Sequence, residues 1–266
     1  MARRINPGPL LAVAFLGVAG VLAGKYYPRA APAPAPVAQP GPPAAAPAAD
    51  YPIEAVPVLP EAPAEPLPLL EDSDAAAWAA LSALLEGGDL AQWLLPTHLV
   101  QRLVTTLDAL PRRDINRQAY AARPIEGGLA TSEAAGVRYL DAANFARYDA
   151  AVATFERVDA RALVSAYVRF YPLFQQAWCE IGPPGSQFND RLVAVIDHLL
   201  AAPEPQGPIA LVPAEGKPRW EFADPRMEQA SIGHKALWRI GPDHATRVKA
   251  RLRQLRELLA GQRPAG

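Results

Sequence analysis

The sequence predicts a mainly α protein: a single helical domain with one or two short β-hairpins, preceded by one transmembrane helix and a Pro/Ala-rich linker. Three observations support this fold class. An uncharged apolar run occupies residues 7–24, prolines crowd the stretch that follows, and apolar residues then recur at the three- and four-residue steps of amphipathic helices. We therefore divide the chain into a membrane anchor (1–27), an extended spacer (28–68) and a helical extracytoplasmic domain (69–262).

The run PGPLLAVAFLGVAGVLAG at 7–24 has the length of a short bilayer-spanning helix. Arg3 and Arg4 precede it, and basic residues on that side favour a cytoplasmic N-terminus. Tyr26 and Tyr27 follow it and suit the aromatic belt at the membrane surface. We expect residues 7–24 to contact the lipid bilayer as a single-pass anchor of the inner (cytoplasmic) membrane, with the C-terminal domain in the periplasm. A cleaved secretory signal is the alternative, and it also sends the domain across the membrane.

The spacer at 28–68 is rich in proline, which fixes φ and removes a backbone donor. An extended, polyproline-like segment results, with a reach on the order of 100 Å at about 3.1 Å per residue. We expect a passive tether, and the alternative is a proline-rich ligand for another domain. Apolar side chains return at Tyr51 and Ile53, so the end of the spacer is expected to lie against the domain.

Capping residues and hydrophobic periodicity divide the domain into helices. Gly87 and Gly88 are expected to stop the first of them. Short hairpins are expected within 124–140 and 208–222, where β-branched and aromatic residues surround Gly or Pro turns. The predicted helices run from Ser73–Asp74 to Leu85, from Thr97 to Leu110, from Asp141 through Phe155, from Asp159 to about Gly182, from Ser186 to Leu199, from Asp224 to Arg239, and from about Asp243 to Leu259.

The helix after Asp159 is apolar on nearly all sides, which predicts a central place in the core. Pro172 in its middle removes a backbone hydrogen bond, so we expect a kink or a split there. Cys179 lies in the same run and is interpreted as a buried small hydrophobic residue rather than a nucleophile.

Composition and motifs exclude several functional classes. The formal net charge of −1 and the expected compartment argue against nucleic-acid binding. The four histidines show no metal-ligand spacing, and neither a serine nucleophile elbow nor a phosphate-binding glycine loop occurs. We therefore assign no catalytic residue, no metal site and no cofactor.

Paired carboxylates are the remaining route to catalysis, because a glycan hydrolase of the envelope uses two of them. The candidates are Glu221, Asp224 and Glu228, or Asp190 and Asp197. Asp224 is better explained as a helix N-cap and Asp190 as a residue of a first helical turn.

Basic residues near the C-terminus are the candidate binding residues. Lys235 and Arg239 share a helix face and need either acidic partners such as Glu228 or an anionic ligand. The last helix carries an apolar stripe from Val248 to Leu259, with basic residues expected to face away from it. That basic face indicates contact with an envelope protein or an anionic surface, the alternative being an ordinary solvated face. The full candidate set is Lys235, Arg239, Arg247, Lys249, Arg253 and Arg256.

Several segments have a familiar appearance, and the most specific are FNDR (188–191) and GHKALWRIG (233–241). Others are RYDAAV (147–152) and YPLFQQAWCEIG (171–182). Together they resemble an uncharacterised family of bacterial envelope proteins, a domain of unknown function with an N-terminal membrane helix. The resemblance implies a single domain and a bacterial setting, and it implies no activity.

We therefore expect a membrane-tethered extracytoplasmic domain that acts as a non-enzymatic binding or scaffolding module of the bacterial cell envelope. The alternative is an envelope hydrolase that acts on cell-wall glycan or lipid through paired carboxylates. Partner and oligomeric state do not follow from the residues.

Overall fold

The structure is a computed structural model that describes residues 48–60, 65–85, 90–114, 119–123, 128–216 and 219–261. The predicted membrane helix, the predicted helix stop at Gly87 and Gly88, and much of the predicted spacer lie outside these residues. Within the described ranges, no helix combines the length and the apolar character needed to span a bilayer.

The described part of the chain is mainly helical, with eight α-helices and four short β-strands, which confirms the fold class at that level. The helices are α1 (Asp74–Ala83), α2 (Leu99–Ala109), α3 (Asp149–Arg157), α4 (Ala160–Ile181), α5 (Phe188–Leu200), α6 (Pro225–Glu228), α7 (Ile232–Ile240) and α8 (Pro242–Leu259). The strands are β1 (Thr131–Ala134), β2 (Val137–Leu140), β3 (Ala210–Pro213) and β4 (Trp220–Phe222). Short 3₁₀ helices cover Ile53–Ala55, Leu70–Asp72, Leu90–Gln92 and Ala142–Tyr148.

Helices α1 and α2 form where their sequence predicts them, but their caps differ from the prediction. The Ser73 hydroxyl donates to the carbonyl of Leu70 at 2.7 Å and makes no cap for α1. The Asp74 carboxylate accepts hydrogen bonds from the backbone N–H groups of His98 and Leu99, at 2.8 and 2.7 Å. Asp74 thus satisfies free donors at the start of α2 and joins the two helices.

Helix α4 is central to the core, as predicted, but it continues without interruption through Pro172. The predicted split is therefore wrong. Pro172 is exposed, so water can reach the carbonyl that it leaves without a helical partner, while Phe170 and Phe174 are buried on either side of it. The prediction that Cys179 is buried is also wrong. Cys179 follows Pro172 by seven residues, or two helical turns, and shares its exposed face.

The helix predicted from Asp224 to Arg239 is two helices, so that prediction is wrong as well. Asp224 does cap α6, because its carboxylate accepts from the N–H of Arg226 at 2.8 Å. The chain then turns, and Ser231 caps α7 by accepting from the N–H of His234 at 3.2 Å. The last predicted helix is confirmed as α8.

Both predicted hairpins form, and they join into one antiparallel sheet in the order β1-β2-β3-β4. Ala135 and Gly136 connect β1 to β2 with φ of 50° and 75°, as a two-residue hairpin turn requires. Strand β2 pairs with β3 through Arg138 with Leu211 and Tyr139 with Ala210. A small second core lies under this sheet, where Trp238 of α7 meets Phe222 edge-on at 5.9 Å between ring centroids.

Residues 48–60, which we call the strap, lie against the helical core. The N–H of Tyr51 donates to Asp190 at 2.7 Å, and the side-chain amide of Asn189 donates to the carbonyl of Tyr51 at 2.8 Å. The side chains of Tyr51 and Ile53 pack on the core, as the sequence predicts. The packed part of the chain therefore begins before the predicted boundary at residue 69.

Candidate functional site

The described part of the chain contains a cavity of about 480 Å³. It lies where the segment after α5 (203–209), the 3₁₀ helix 142–148, α7 and the first half of α8 meet. Its lining is mostly apolar, with Leu140, Phe145, Ile209, Leu237 and Trp238, and it includes two charged residues, Lys249 and Glu204. A second cavity, of about 50 Å³ and wholly apolar in character, lies between α1, α2 and α4 and is much too small for a ligand of ordinary size.

Two hydrogen bonds fix one wall of the large cavity. The indole N–H of Trp238 donates to the carbonyl of Pro203 at 2.7 Å, and the backbone N–H of Leu140 donates to the carbonyl of Ile209 at 2.9 Å. Pro205 and Pro208 add rigidity to the same segment, because proline restricts φ. The cavity wall is thus held to both the sheet and α7, as expected of a preformed pocket.

Lys249 is the cationic residue of this lining. It is 9 % exposed, and its ammonium donates to the carbonyl of Ala202 at 2.6 Å. Burial lowers the pKa of Lys249, and the exposed carboxylate of Glu204 partly offsets that effect. Among the described residues, no carboxylate lies within 4.0 Å of its ammonium.

The prediction that Lys249 faces away from the apolar stripe is wrong. Lys249 follows Val248 by one residue, about 100° around the helix, and precedes Leu252 by three. It therefore lies on the flank of the stripe, where a long aliphatic stem can be buried while its charged end reaches a polar group. Of the other candidate residues on α8, Arg247 pairs with Glu156 and Arg256 pairs with Asp197. Arg253 is exposed.

Lys235 and Arg239 belong to an internal cluster. The Lys235 ammonium lies 3.1 Å from the Glu228 carboxylate, and its side chain is 5 % exposed. Burial lowers the pKa of Lys235, and the charge of Glu228 opposes that shift. The Arg239 guanidinium stacks over the Phe222 ring at 4.8 Å, and burial lowers the pKa of Arg239 to about 10, so it stays charged at neutral pH. Of the two predicted partners for this pair, the structure places the acidic side chain, Glu228, in contact with Lys235.

The carboxylates considered for catalysis are each engaged in a structural contact. Asp190 accepts from the backbone of the strap, Asp197 pairs with Arg256, and Glu221 pairs with Arg219 at 2.5 Å. Asp224 caps α6, and Glu228 accepts from the N–H of Phe222 in addition to its contact with Lys235. None of them lines either of the two cavities described above.

A cluster of His198, His234 and Ser231 was not foreseen from the sequence. The two imidazole rings stack with centroids 4.2 Å apart, and His198 Nε2 lies 2.8 Å from the Ser231 hydroxyl. His234 Nε2 lies 2.8 Å from the carbonyl of His198. Burial lowers the pKa of His198, with smaller contributions from His234 and from Arg191. Ser231 and His234 follow His198 by 33 and 36 positions in sequence, so no local spacing indicates their contact with it.

Comparison with known proteins gives one positive finding. Residues 99–256 match the model of the family described as Protein of unknown function (DUF3014). The chain belongs to this family. The matched range covers α2 through most of α8 and therefore includes all the residues that line the large cavity, whereas the strap lies outside it. Neither curated proteins nor solved structures yield a match.

Proposed function

We propose that this DUF3014 protein is a membrane-tethered, extracytoplasmic and non-enzymatic binding module of a bacterial cell envelope, and that it takes its ligand in the cavity beside Lys249. The observation that carries this proposal is the cavity itself. A volume of about 480 Å³ falls within the range of small-molecule sites, and a mostly apolar lining with few polar groups is their usual composition.

The proposed tether rests on sequence. The uncharged run at 7–24, with Arg3 and Arg4 before it, favours an inner-membrane anchor with a cytoplasmic N-terminus and a periplasmic domain. A reporter that is active only in the cytoplasm, fused after Gly266, should therefore be silent. An active reporter would place the domain in the cytoplasm and contradict the proposed location.

Binding fits the arrangement better than hydrolysis or a basic docking face. The candidate catalytic carboxylates are engaged in caps, ion pairs and strap contacts, so a hydrolase reaction lacks a pair of free acids. A docking face on α8 has weak support too, because Arg247 and Arg256 are satisfied by Glu156 and Asp197. Binding in the cavity does not require any of these contacts to be broken.

Two neighbouring alanines allow a matched test of the cavity. Ala142 and Ala143 are both exposed and adjacent, but only Ala142 lines the cavity. Ala142→Trp should obstruct it, whereas Ala143→Trp adds the same bulk beside it. The full chain would be extracted from native envelopes in nanodiscs and examined by native mass spectrometry.

A bound small molecule should accompany the wild type and Ala143→Trp and should be lost from Ala142→Trp. Retention of the same mass by Ala142→Trp would show that this cavity is not the site. Absence of any bound mass from wild-type protein would contradict the proposed function, since a module that works in its native envelope should be isolated partly loaded.

A further inference from the structure

The cavity contains a buried positive charge that the described residues do not neutralise. An ammonium group has three N–H donors, and that of Lys249 uses one of them on the Ala202 carbonyl. Removing a charge from water is costly unless the charge is paired. Glu204 also lines the cavity, but it is exposed, and among the described residues no carboxylate lies within 4.0 Å of the Lys249 ammonium. The buried lysine therefore has no ion-pair partner in this mostly apolar pocket.

The N-terminal end of α8 adds to this positive character. Pro242, Ala245 and Thr246 line the cavity together with Lys249, so the first two turns of the helix face it. The N-terminal end of an 18-residue helix has a positive dipole that favours anions. The Thr246 hydroxyl donates to the carbonyl of Pro242, which leaves Lys249 as the principal donor for a ligand.

Most of the remaining lining is apolar. It includes Leu140, Phe145, Ile209 and Trp238, and the indole N–H of Trp238 is already bonded to the carbonyl of Pro203. These side chains favour a hydrocarbon body, because burial of apolar surface gains about 25 cal/mol per Å².

We propose that the cavity binds an amphiphile with one anionic head group, a long-chain carboxylate being the simplest example. The head group pairs with Lys249, and the chain lies along the Leu140–Trp238 wall. This inference rests on the proposed function, because it names the ligand class of the same cavity. A neutral ligand would leave the ammonium uncompensated, and a cationic one would repel it.

The test uses the full chain in nanodiscs, with empty nanodiscs as the blank for partitioning into lipid. The probes are decanoate and decyltrimethylammonium, which share a ten-carbon chain and differ in the sign of the head group. Binding would be followed by isothermal titration calorimetry. We expect saturable binding of decanoate at one site and none of decyltrimethylammonium above the blank.

Two substitutions on α8 distinguish the effect of the cavity lysine on binding from the effect of surface charge in general. Lys249→Met keeps the aliphatic stem and removes the ammonium, and it should weaken decanoate binding about tenfold or more, as expected for loss of one charge-assisted hydrogen bond. Arg253→Met removes one charge from the exposed face of the same helix and should leave the affinity within about twofold. Lys249→Arg should retain most of the binding.

The outcomes distinguish this inference from the proposed function. Equal binding of decanoate by wild type and Lys249→Met, or equal binding of the two probes, would overturn the anionic-head inference. If Ala142→Trp still displaced the native ligand in that case, the cavity would remain a binding site with another ligand class. If Ala142→Trp displaced nothing, the proposed function itself would fail.

Discussion

The side chain of Asn189 joins the strap to α4 and α8, so its removal tests whether the strap is part of the fold. Asn189 is 0 % exposed. Its amide donates to the carbonyls of Tyr51 and Leu259, at 2.8 and 3.2 Å, and its carbonyl accepts from the Tyr167 hydroxyl at 3.3 Å. Asn189→Ala removes this partner from all three groups at once.

The expected cost follows from the burial of those groups. A buried polar group that loses its partner costs about 1–3 kcal/mol. The strap is partly exposed at Tyr51, so water can replace one of the three hydrogen bonds there. We therefore expect Asn189→Ala to lower the free energy of unfolding by about 2–4 kcal/mol, or to lower Tm by about 4–16 °C for a domain of this size.

Asn144→Ala is a matched control. Asn144 is 1 % exposed, and its amide also donates to two carbonyls, those of Ala130 and Asp141, at 2.6 and 2.7 Å. Urea unfolding would measure stability, and hydrogen–deuterium exchange would report the amides of residues 48–60. Both variants should lose stability, but only Asn189→Ala should speed exchange in the strap. Unchanged strap exchange in Asn189→Ala, or a loss below about 1 kcal/mol, would refute this role for Asn189.

Four further predictions concern charge and exposure. Folding lowers the pKa of His198 from its ordinary value of 6.5, so the unfolded chain binds the proton more readily than the folded one. The free energy of unfolding should therefore fall as pH drops below about 6.5. Urea titrations should show a weaker fall for His198→Gln than for wild type. Glu228→Ala leaves the buried Lys235 without its acidic partner and should lower the free energy of unfolding, measured by thermal unfolding, by about 3 kcal/mol. A change below about 1 kcal/mol would show that the pair is dispensable. Lys249→Met should raise Tm of the ligand-free protein, because it removes an uncompensated buried charge, and a lowered Tm would contradict that reasoning. Cys179 should react with a maleimide in the folded protein at the rate of an exposed thiol, and protection until unfolding would mean that its face of α4 is covered.

Local patterns predicted most helices, because each of them has one buried face with a regular period. The apolar steps of α2 and α8 are read directly from the sequence, and both helices form as expected. The predictions failed where one residue had to be assigned to the buried or the exposed face of a helix. Cys179 lies on the exposed face of α4 and Lys249 on the flank of the apolar stripe of α8, and a turn of about 100° per residue decides such placements. The break at Ser231 was missed because Asp224 and Pro225 give an equally good start signal seven residues earlier.

The cavity could not be predicted, because its walls come from segments that are distant in sequence. Each hairpin has a local turn signal, but the pairing of Tyr139 with Ala210, which joins them, has none. The same long-range assembly brings Leu140 and Phe145 into one cavity lining with Trp238 and Lys249. The His198–His234 stack depends in a similar way on the packing of α5 beside α7. Sequence periodicity tells which residues are buried, but it does not tell which buried residues face one another.

The positions of the strap and the cavity suggest how a tethered domain would present its ligand site. The strap is held by Asn189 at the start of α5, and Asn189 also contacts Leu259 at the end of α8. The cavity lies at the other ends of these two helices, beside Ala202 and Lys249. A 13-residue helix is about 20 Å long, so the attachment of the strap and the cavity are separated by roughly that distance. If the tether proposed above enters through the strap, the cavity lies on the side of the domain away from its point of attachment.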